Sequence, residues 1–135
     1  MYSAAKRVTM PHVRAYTLPK QDIVMTEKRF QSFSEFYPYY LNEHSNATCR
    51  NLHYIGSLLV LSVLFWAIVT GVWSLLFALP VIGYGFAWVG HFGFEHNKPA
   101  TFQYPFYSLM GDWVMLKDFL TGNIDQKLQD AQAAH

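Results

Sequence analysis

Three histidines and one carboxylate carry most of the chemistry available to this sequence. Between Arg50 and Glu95, 44 residues pass without an Asp, Glu, Lys or Arg. His53 stands at the start of that run, His91 near its end, and His44 shortly before it. Neutral imidazole is the commonest protein ligand for first-row metals. Two helices that cross a bilayer and return would bring His53 and His91 to the same depth, with His44 arriving from the preceding segment. Glu95 follows His91 by four residues, on the same helical face if the helix continues. It is therefore read as a fourth ligand or as the carboxylate that fixes an imidazole tautomer. His96 points about 100° away from Glu95 and is the weaker ligand candidate. Arg50 stands close enough to the histidines to hold a substrate carboxylate.

The elements that must position these groups follow from hydropathy. Hydrophobic residues make up 52% of the 135-residue chain and charged residues 14%, against roughly 25% charged in an average soluble domain. The expectation is an all-α fold: an integral membrane hairpin flanked by interfacial amphipathic helices. Spans are read at about 53–70 and 72–94, turning at Thr70-Gly71, with Pro80 inside the second. Gly83, Ala87 and Gly90 form a small-residue stripe that lets another helix approach closely. A soluble core hairpin is the competing reading, disfavoured because soluble helices seldom lack a polar face.

The flanks divide the chain further. Residues 1–29 read as a polar N-terminal arm, and 30–122 as the membrane-embedded histidine domain. Phe30, Phe33 and Tyr37 recur at helical spacing, with Pro38 set to kink or restart that helix. Ser45-Asn46-Ala47-Thr48 reads as a turn with Asn46 or Thr48 as helix N-cap. This break matters, because His44 and His53 on one continuous helix would face opposite sides. An interfacial helix is expected at about 105–121, with Phe106, Leu109, Met110, Trp113, Leu116 and Leu120 on one face. Asp112, Lys117 and Asp118 interrupt any full crossing there, and Asp112 and Arg50 are read as pairing with opposite charges. Gly122 fits a helix C-cap, and 123–135 reads as a polar, frayed tail.

Several function classes fall away. The net charge of +1 gives no nucleic-acid footprint. The single cysteine, Cys49, excludes an internal disulfide and a Cys-rich metal site. No apolar stretch follows Lys6 and Arg7, so a cleaved signal peptide is not expected. Gly83-Tyr84-Gly85 lacks the strand–turn–helix setting of a phosphate loop. A two-metal centre would need more histidines, so one ion is the better count. All ten Lys and Arg lie outside the hairpin, which puts both termini on the cytoplasmic side by the positive-inside rule.

Two blocks carry a resemblance. Tyr39-Tyr40-Leu41-Asn42-Glu43-His44 with Arg50-Asn51-Leu52-His53-Tyr54-Ile55-Gly56 is similar to the N-terminal signature of the 2-hydroxy fatty acid dioxygenase family. Trp88-Val89-Gly90-His91-Phe92-Gly93-Phe94-Glu95 with Asn97-Lys98-Pro99-Ala100 resembles the second signature. Tyr104-Pro105 and Ser108-Leu109-Met110-Gly111-Asp112 resemble the bacterial branch, which implies a bacterial inner membrane. The likeness covers roughly Phe33 to Gly122.

The resemblance implies an Fe(2+)-dependent dioxygenase of fatty-acid α-oxidation, which in fungal relatives acts in phytosphingosine breakdown. Such an enzyme shortens a 2-hydroxy fatty acid by one carbon with O2. It implies His44, His53 and His91 as iron ligands. Arg50 and Lys98 are then candidates to clamp the substrate carboxylate, with Asn97 as a further substrate contact. No 2-oxoglutarate is needed, because the 2-hydroxy acid carries the electrons. Ligand type alone leaves zinc open, and the oligomeric state, a homo-oligomer included, is not fixed by the sequence. The rival readings are a non-enzymatic small membrane protein with structural histidines, and a metal or haem carrier.

Overall fold

The computed structural model describes residues 29–134. All but the last residue of the N-terminal arm lies outside them. The described residues form helices joined by turns and loops, with no strand among them: α1 Phe33–Asn42, α2 Ala47–Thr70, α3 Ala78–Gly90, α4 Pro105–Leu120 and α5 Ile124–Ala133. A 3-10 turn, Trp73–Phe77, leads into α3, and a π-helical segment, His91–Glu95, continues from it.

The hairpin is as expected. α2 and the rod Trp73–Glu95 are 24 and 23 residues long, and each is apolar enough to cross a membrane. The turn closes because Gly71 adopts φ 70°, a left-handed cap conformation that glycine takes at little cost. The outer surface of the hairpin is apolar: Phe65, Val81 and Phe77 are 68%, 73% and 84% exposed. In water this much contiguous apolar surface would drive association. Between the two arms the contact is close. A Cβ on Gly56 would meet Phe86 Cβ at 2.9 Å, and one on Gly90 would meet Cys49 Sγ at 2.9 Å. The small-residue stripe of the second arm thus packs against the first.

At the histidine end the hairpin is held in a collar of α1, α4 and α5. Ser32 caps α1 by accepting from the Glu35 amide at 3.3 Å. Helix α1 runs through Pro38 without a break. Its buried face, Phe36, Tyr40 and Leu41, meets Met115 and Leu116 of α4 and Ala131 of α5 in one core. Each such large side chain contributes about 1.5–3 kcal/mol on burial. Two tyrosines of α1 also grip two acids of α4: Tyr37 Oη donates to Asp118 at 2.6 Å, and Tyr40 Oη donates to Asp112. The pairing of Asp112 with Arg50 is therefore not what forms.

Helix α4 occupies the expected 105–121 region and ends in a Schellman motif. Gly122, at φ 78°, donates to Phe119, and Asn123 donates to Asp118 at 2.8 Å. The face carrying Phe106, Leu109, Met110 and Leu120 is exposed, as an interfacial helix requires. Trp113 and Leu116 turn inward from that face. The tail departs from expectation. Instead of fraying, it forms α5, because Ile124 and Ala131 bury against the collar and Asn42 Nδ2 donates to Ala131 O at 3.0 Å.

Candidate metal centre

Each of the three histidines is delivered by a different local device. His44 follows the end of α1, where the chain breaks. Asn46, not Thr48, is the N-cap of α2: its Oδ1 accepts from the amides of Thr48 at 2.8 Å and Cys49 at 3.2 Å. The break lets His44 fold back over the first turns of α2, where His53 stands. His91 begins the π-helical segment, whose wider turn shifts the residues after it relative to an α-helix. Asn97 then reaches back to His91. His44, His53 and His91 are all buried, at 1%, 5% and 2% exposure.

The rings converge edge to face, with centroids 4.4 Å apart for His44–His91, 4.5 Å for His44–His53 and 5.0 Å for His53–His91. Each Nδ1 faces an oxygen. His44 Nδ1 lies 2.6 Å from Tyr40 O, His53 Nδ1 2.9 Å from Cys49 O, and His91 Nδ1 2.7 Å from Asn97 Oδ1. All three oxygens accept, so each Nδ1 carries the proton in the neutral ring and each Nε2 presents a lone pair. The Nε2 atoms of His44 and His53 are 3.1 Å apart. Two lone pairs at that distance repel unless a cation stands between them. Two nitrogens bound at about 2.1 Å to one ion lie roughly 3.0 Å apart at a right angle, so the spacing fits a shared metal. Burial, then His53 and His91, holds the His44 pKa well below the ordinary histidine value, which keeps the ring neutral and able to ligate.

The remaining predicted residues fall elsewhere. Glu95 is not in the cluster. Its carboxylate accepts from the Asn46 amide and from Ser45 Oγ at 3.1 Å, so it ties the start of α2 to the end of the second arm. The tautomer-fixing role considered for it belongs to Asn97 at His91. The Asn97 amide nitrogen donates in turn to Glu43 O and Glu43 Oε2, both at 2.9 Å. Arg50 donates to His44 O at 2.8 Å and Ser45 O at 2.7 Å and braces the loop that carries His44. His96 is exposed, at φ 56°, where the π segment ends. Lys98 is exposed too.

Cys49 lies within ligand distance of the three histidines. Its Sγ, however, is 3.8 Å from the Nδ1 edge of His53 and packs against Gly90, behind the ring rather than before the lone pairs. We read it as packing.

The sequence reading missed three groups. Tyr40 packs its ring on His44 with centroids 4.1 Å apart, accepts from His44 Nδ1 through its carbonyl, and holds Asp112 through its hydroxyl. Asp112 is half-buried, and its removal from water raises its pKa to about 6 against the lowering effects of Tyr40 and His91. Ser108 is 6% exposed, and its hydroxyl has no partner. An ionisable residue in an otherwise apolar helix was the available signal for Asp112.

A cavity of about 280 Å³ opens from the imidazoles. Its floor is His44, His53 and His91, and its apolar walls include Val60, Leu79, Gly83, Ala87 and Trp113. Tyr84 and Leu109, on α3 and α4, are half-exposed at its rim. The arrangement can hold one cation at the polar end of a cavity whose other walls are apolar.

Among curated proteins and solved structures, none matches this chain. A family does: residues 30–124 match the family described as 2-hydroxy-palmitic acid dioxygenase Mpo1-like, a stretch that takes in all three histidines, the cavity lining, α1 and α4 and stops at the start of α5. The chain belongs to the Mpo1-like family.

Proposed function

We propose that this protein is an iron(II)-dependent dioxygenase that shortens 2-hydroxy fatty acids by one carbon at a membrane surface. The observation that carries the proposal is the arrangement of three buried, converging imidazoles, each with Nδ1 committed to an oxygen, which leaves each Nε2 free to ligate. The family match supports the reaction and the substrate class. His44, His53 and His91 would hold the ion. Bound there, iron(II) supplies the activation of O2 for cleavage of the C1–C2 bond.

The reaction balances without a second reductant. A 2-hydroxy acid and O2 give the acid one carbon shorter, carbon dioxide and water. C1 and C2 together give up the four electrons that O2 takes.

The chain's own residues contribute position and environment. Tyr40, Cys49 and Asn97 fix the imidazole tautomers. The collar keeps water from the buried rings. The cavity walls take the first part of the acyl tail, each buried CH2 contributing about 0.8 kcal/mol. The rim lets the rest of the tail stay in the bilayer. We place the protein as a two-span membrane protein of a bacterial inner membrane, with both termini cytoplasmic, from the charge distribution outside the hairpin.

Anaerobic purification followed by addition of Fe(II), O2 and 2-hydroxypalmitate tests the reading. Pentadecanoic acid appears if it is right, and His91→Ala abolishes the product. Bound metal without turnover of any 2-hydroxy acid favours the carrier alternative.

A further inference from the structure

Helix α4 turns one polar strip into the cavity. Pro105, Ser108, Leu109, Asp112 and Trp113 share one face of α4 by spacing, and all five line the cavity with the imidazoles. Ser108 and Asp112 are one turn apart; Ser108 is buried and Asp112 half-buried. Ser108 does not follow the usual course of a helical serine. Ser62 bonds back to the Leu58 carbonyl at 2.8 Å and Thr121 to Lys117 at 2.8 Å, whereas the Ser108 hydroxyl bonds to nothing. A buried hydroxyl without a partner destabilises the protein that carries it. Asp112 is half satisfied: Tyr40 donates to Oδ1, which leaves acceptor capacity on Oδ2. The strip therefore offers one unused donor and one unused acceptor beside the proposed metal site.

We propose that Ser108 and Asp112 read the head group of the acid, Ser108 donating to its carboxylate and Asp112 accepting from its 2-hydroxyl. This rests on the proposed substrate class and adds the residues that select it. An unsubstituted fatty acid would leave Asp112 facing an apolar carbon with its acceptor unused. A site built to bond a substrate hydroxyl rejects the analogue that lacks it more strongly than an apolar pocket can. The strip thus explains how a membrane full of unsubstituted acyl chains is kept out of the cavity.

The test is equilibrium binding of 2-hydroxypalmitate and palmitate to the anaerobic, Fe(II)-loaded protein in detergent, with thermal unfolding of the ligand-free protein alongside. The wild type is expected to bind the hydroxy acid at least about tenfold more tightly than palmitate. Ser108→Ala weakens both acids about tenfold, keeps the preference, and raises the melting temperature of the ligand-free protein. Asp112→Leu erases the preference, and Asp112→Asn, whose amide oxygen still accepts from Tyr40 and whose amide nitrogen can donate to the 2-hydroxyl oxygen, restores most of it. Metal content stays at the wild-type level in Ser108→Ala. Unchanged binding in Ser108→Ala, a lowered melting temperature in that variant, or an intact preference in Asp112→Leu overturns the proposal and leaves the substrate class standing. Failure of the wild type to bind either acid overturns the substrate class itself, and the head-group reading with it.

Discussion

The Nε2 atoms of His44 and His53 face each other at 3.1 Å, and each ring donates from Nδ1 to the carbonyl four residues before it. The two imidazoles are thus fixed by the same local device on two different stretches of chain. Neither can swing away without losing a buried hydrogen bond. The protein holds their lone pairs together against their repulsion, and a cation offsets that repulsion. Removing either ring should therefore relieve strain in the metal-free state while abolishing metal binding. His53→Ala is expected to retain helical circular dichroism, to bind no metal, and to lose far more activity than the roughly 100-fold upper end for changes around a metal's ligands.

Asn97 is the third such device, reached from outside the helix. Asn97→Leu removes the acceptor at His91 Nδ1 and frees the ring to adopt the other tautomer. Metal affinity should fall 10–100-fold, as for other changes behind a ligating histidine. Asn97→Asp keeps the acceptor but sets a carboxylate against Glu43, so it should lose much less only when combined with Glu43→Gln, which turns that repulsion into a hydrogen bond. Competition with a chelator of known affinity measures both. Equal affinity in Asn97→Leu and wild type would show that the tautomer is fixed by something else.

Glu95 and Arg50 give the contrasting case. Both brace the His44 loop, and neither turns toward the imidazoles. Glu95→Gln should keep a full complement of metal, because the amide oxygen still accepts from Asn46 and the Ser45 hydroxyl can turn to accept from the new amide nitrogen. Arg50→Lys should lower stability by about 1.5–3 kcal/mol, the range for hydrogen bonds to a charged group, and leave KM for the acid near wild type. Metal lost in Glu95→Gln would restore it as a ligand, and a raised KM in Arg50→Lys would restore Arg50 as a carboxylate clamp.

Gly83 controls the apolar part of the cavity. A Cβ there would meet Val60 Cγ2 at 3.6 Å, an ordinary contact, so Gly83→Ala should be tolerated. Gly83→Leu projects a branched side chain into the cavity and should cut turnover of long-chain 2-hydroxy acids while sparing metal content. Gly111 is different. A Cβ at that position would meet Tyr40 Cε2 at 2.9 Å, and the Tyr40 ring is pinned at both ends. Gly111→Ala should cost about 1–3 kcal/mol of stability by overpacking. Thermal unfolding and turnover in the same preparations separate the two effects.

Much of this was legible in the sequence. The charge-free run with a glycine in its middle marks the hairpin, since no other packing satisfies 44 residues with so little polarity. The turn before Ala47 signals that His44 and His53 leave a common helix axis. The groups that support them were hidden because their partners lie far along the chain. Tyr40 meets Asp112 across 72 positions, and Tyr37 meets Asp118 across 81. On α4 the eye follows Phe106, Leu109 and Met110. The buried residues are Ser108, Gly111, Met115, Leu116 and Asp118, of which only Leu116 belongs to the expected apolar face, and hydropathy gives no sign that Ser108 and Asp118 turn inward. The lipid-facing side of a membrane protein is the apolar side, so the soluble rule inverts there. Helix α5 was obscured for a related reason: two small contacts, Ile124 and Ala131, anchor an otherwise polar segment.

The claim beneath all of these is that one metal ion joins His44, His53 and His91. Metal analysis of protein purified without oxygen, combined with X-ray absorption at the metal edge, tests it most directly. The account predicts one ion per chain, a first shell of nitrogen and oxygen with three imidazole signatures, and loss of the ion in His44→Ala, His53→Ala and His91→Ala alike. A wild-type protein that stays metal-free after Fe(II) is supplied, a sulfur ligand from Cys49, or an ion retained in any of the three variants would contradict it.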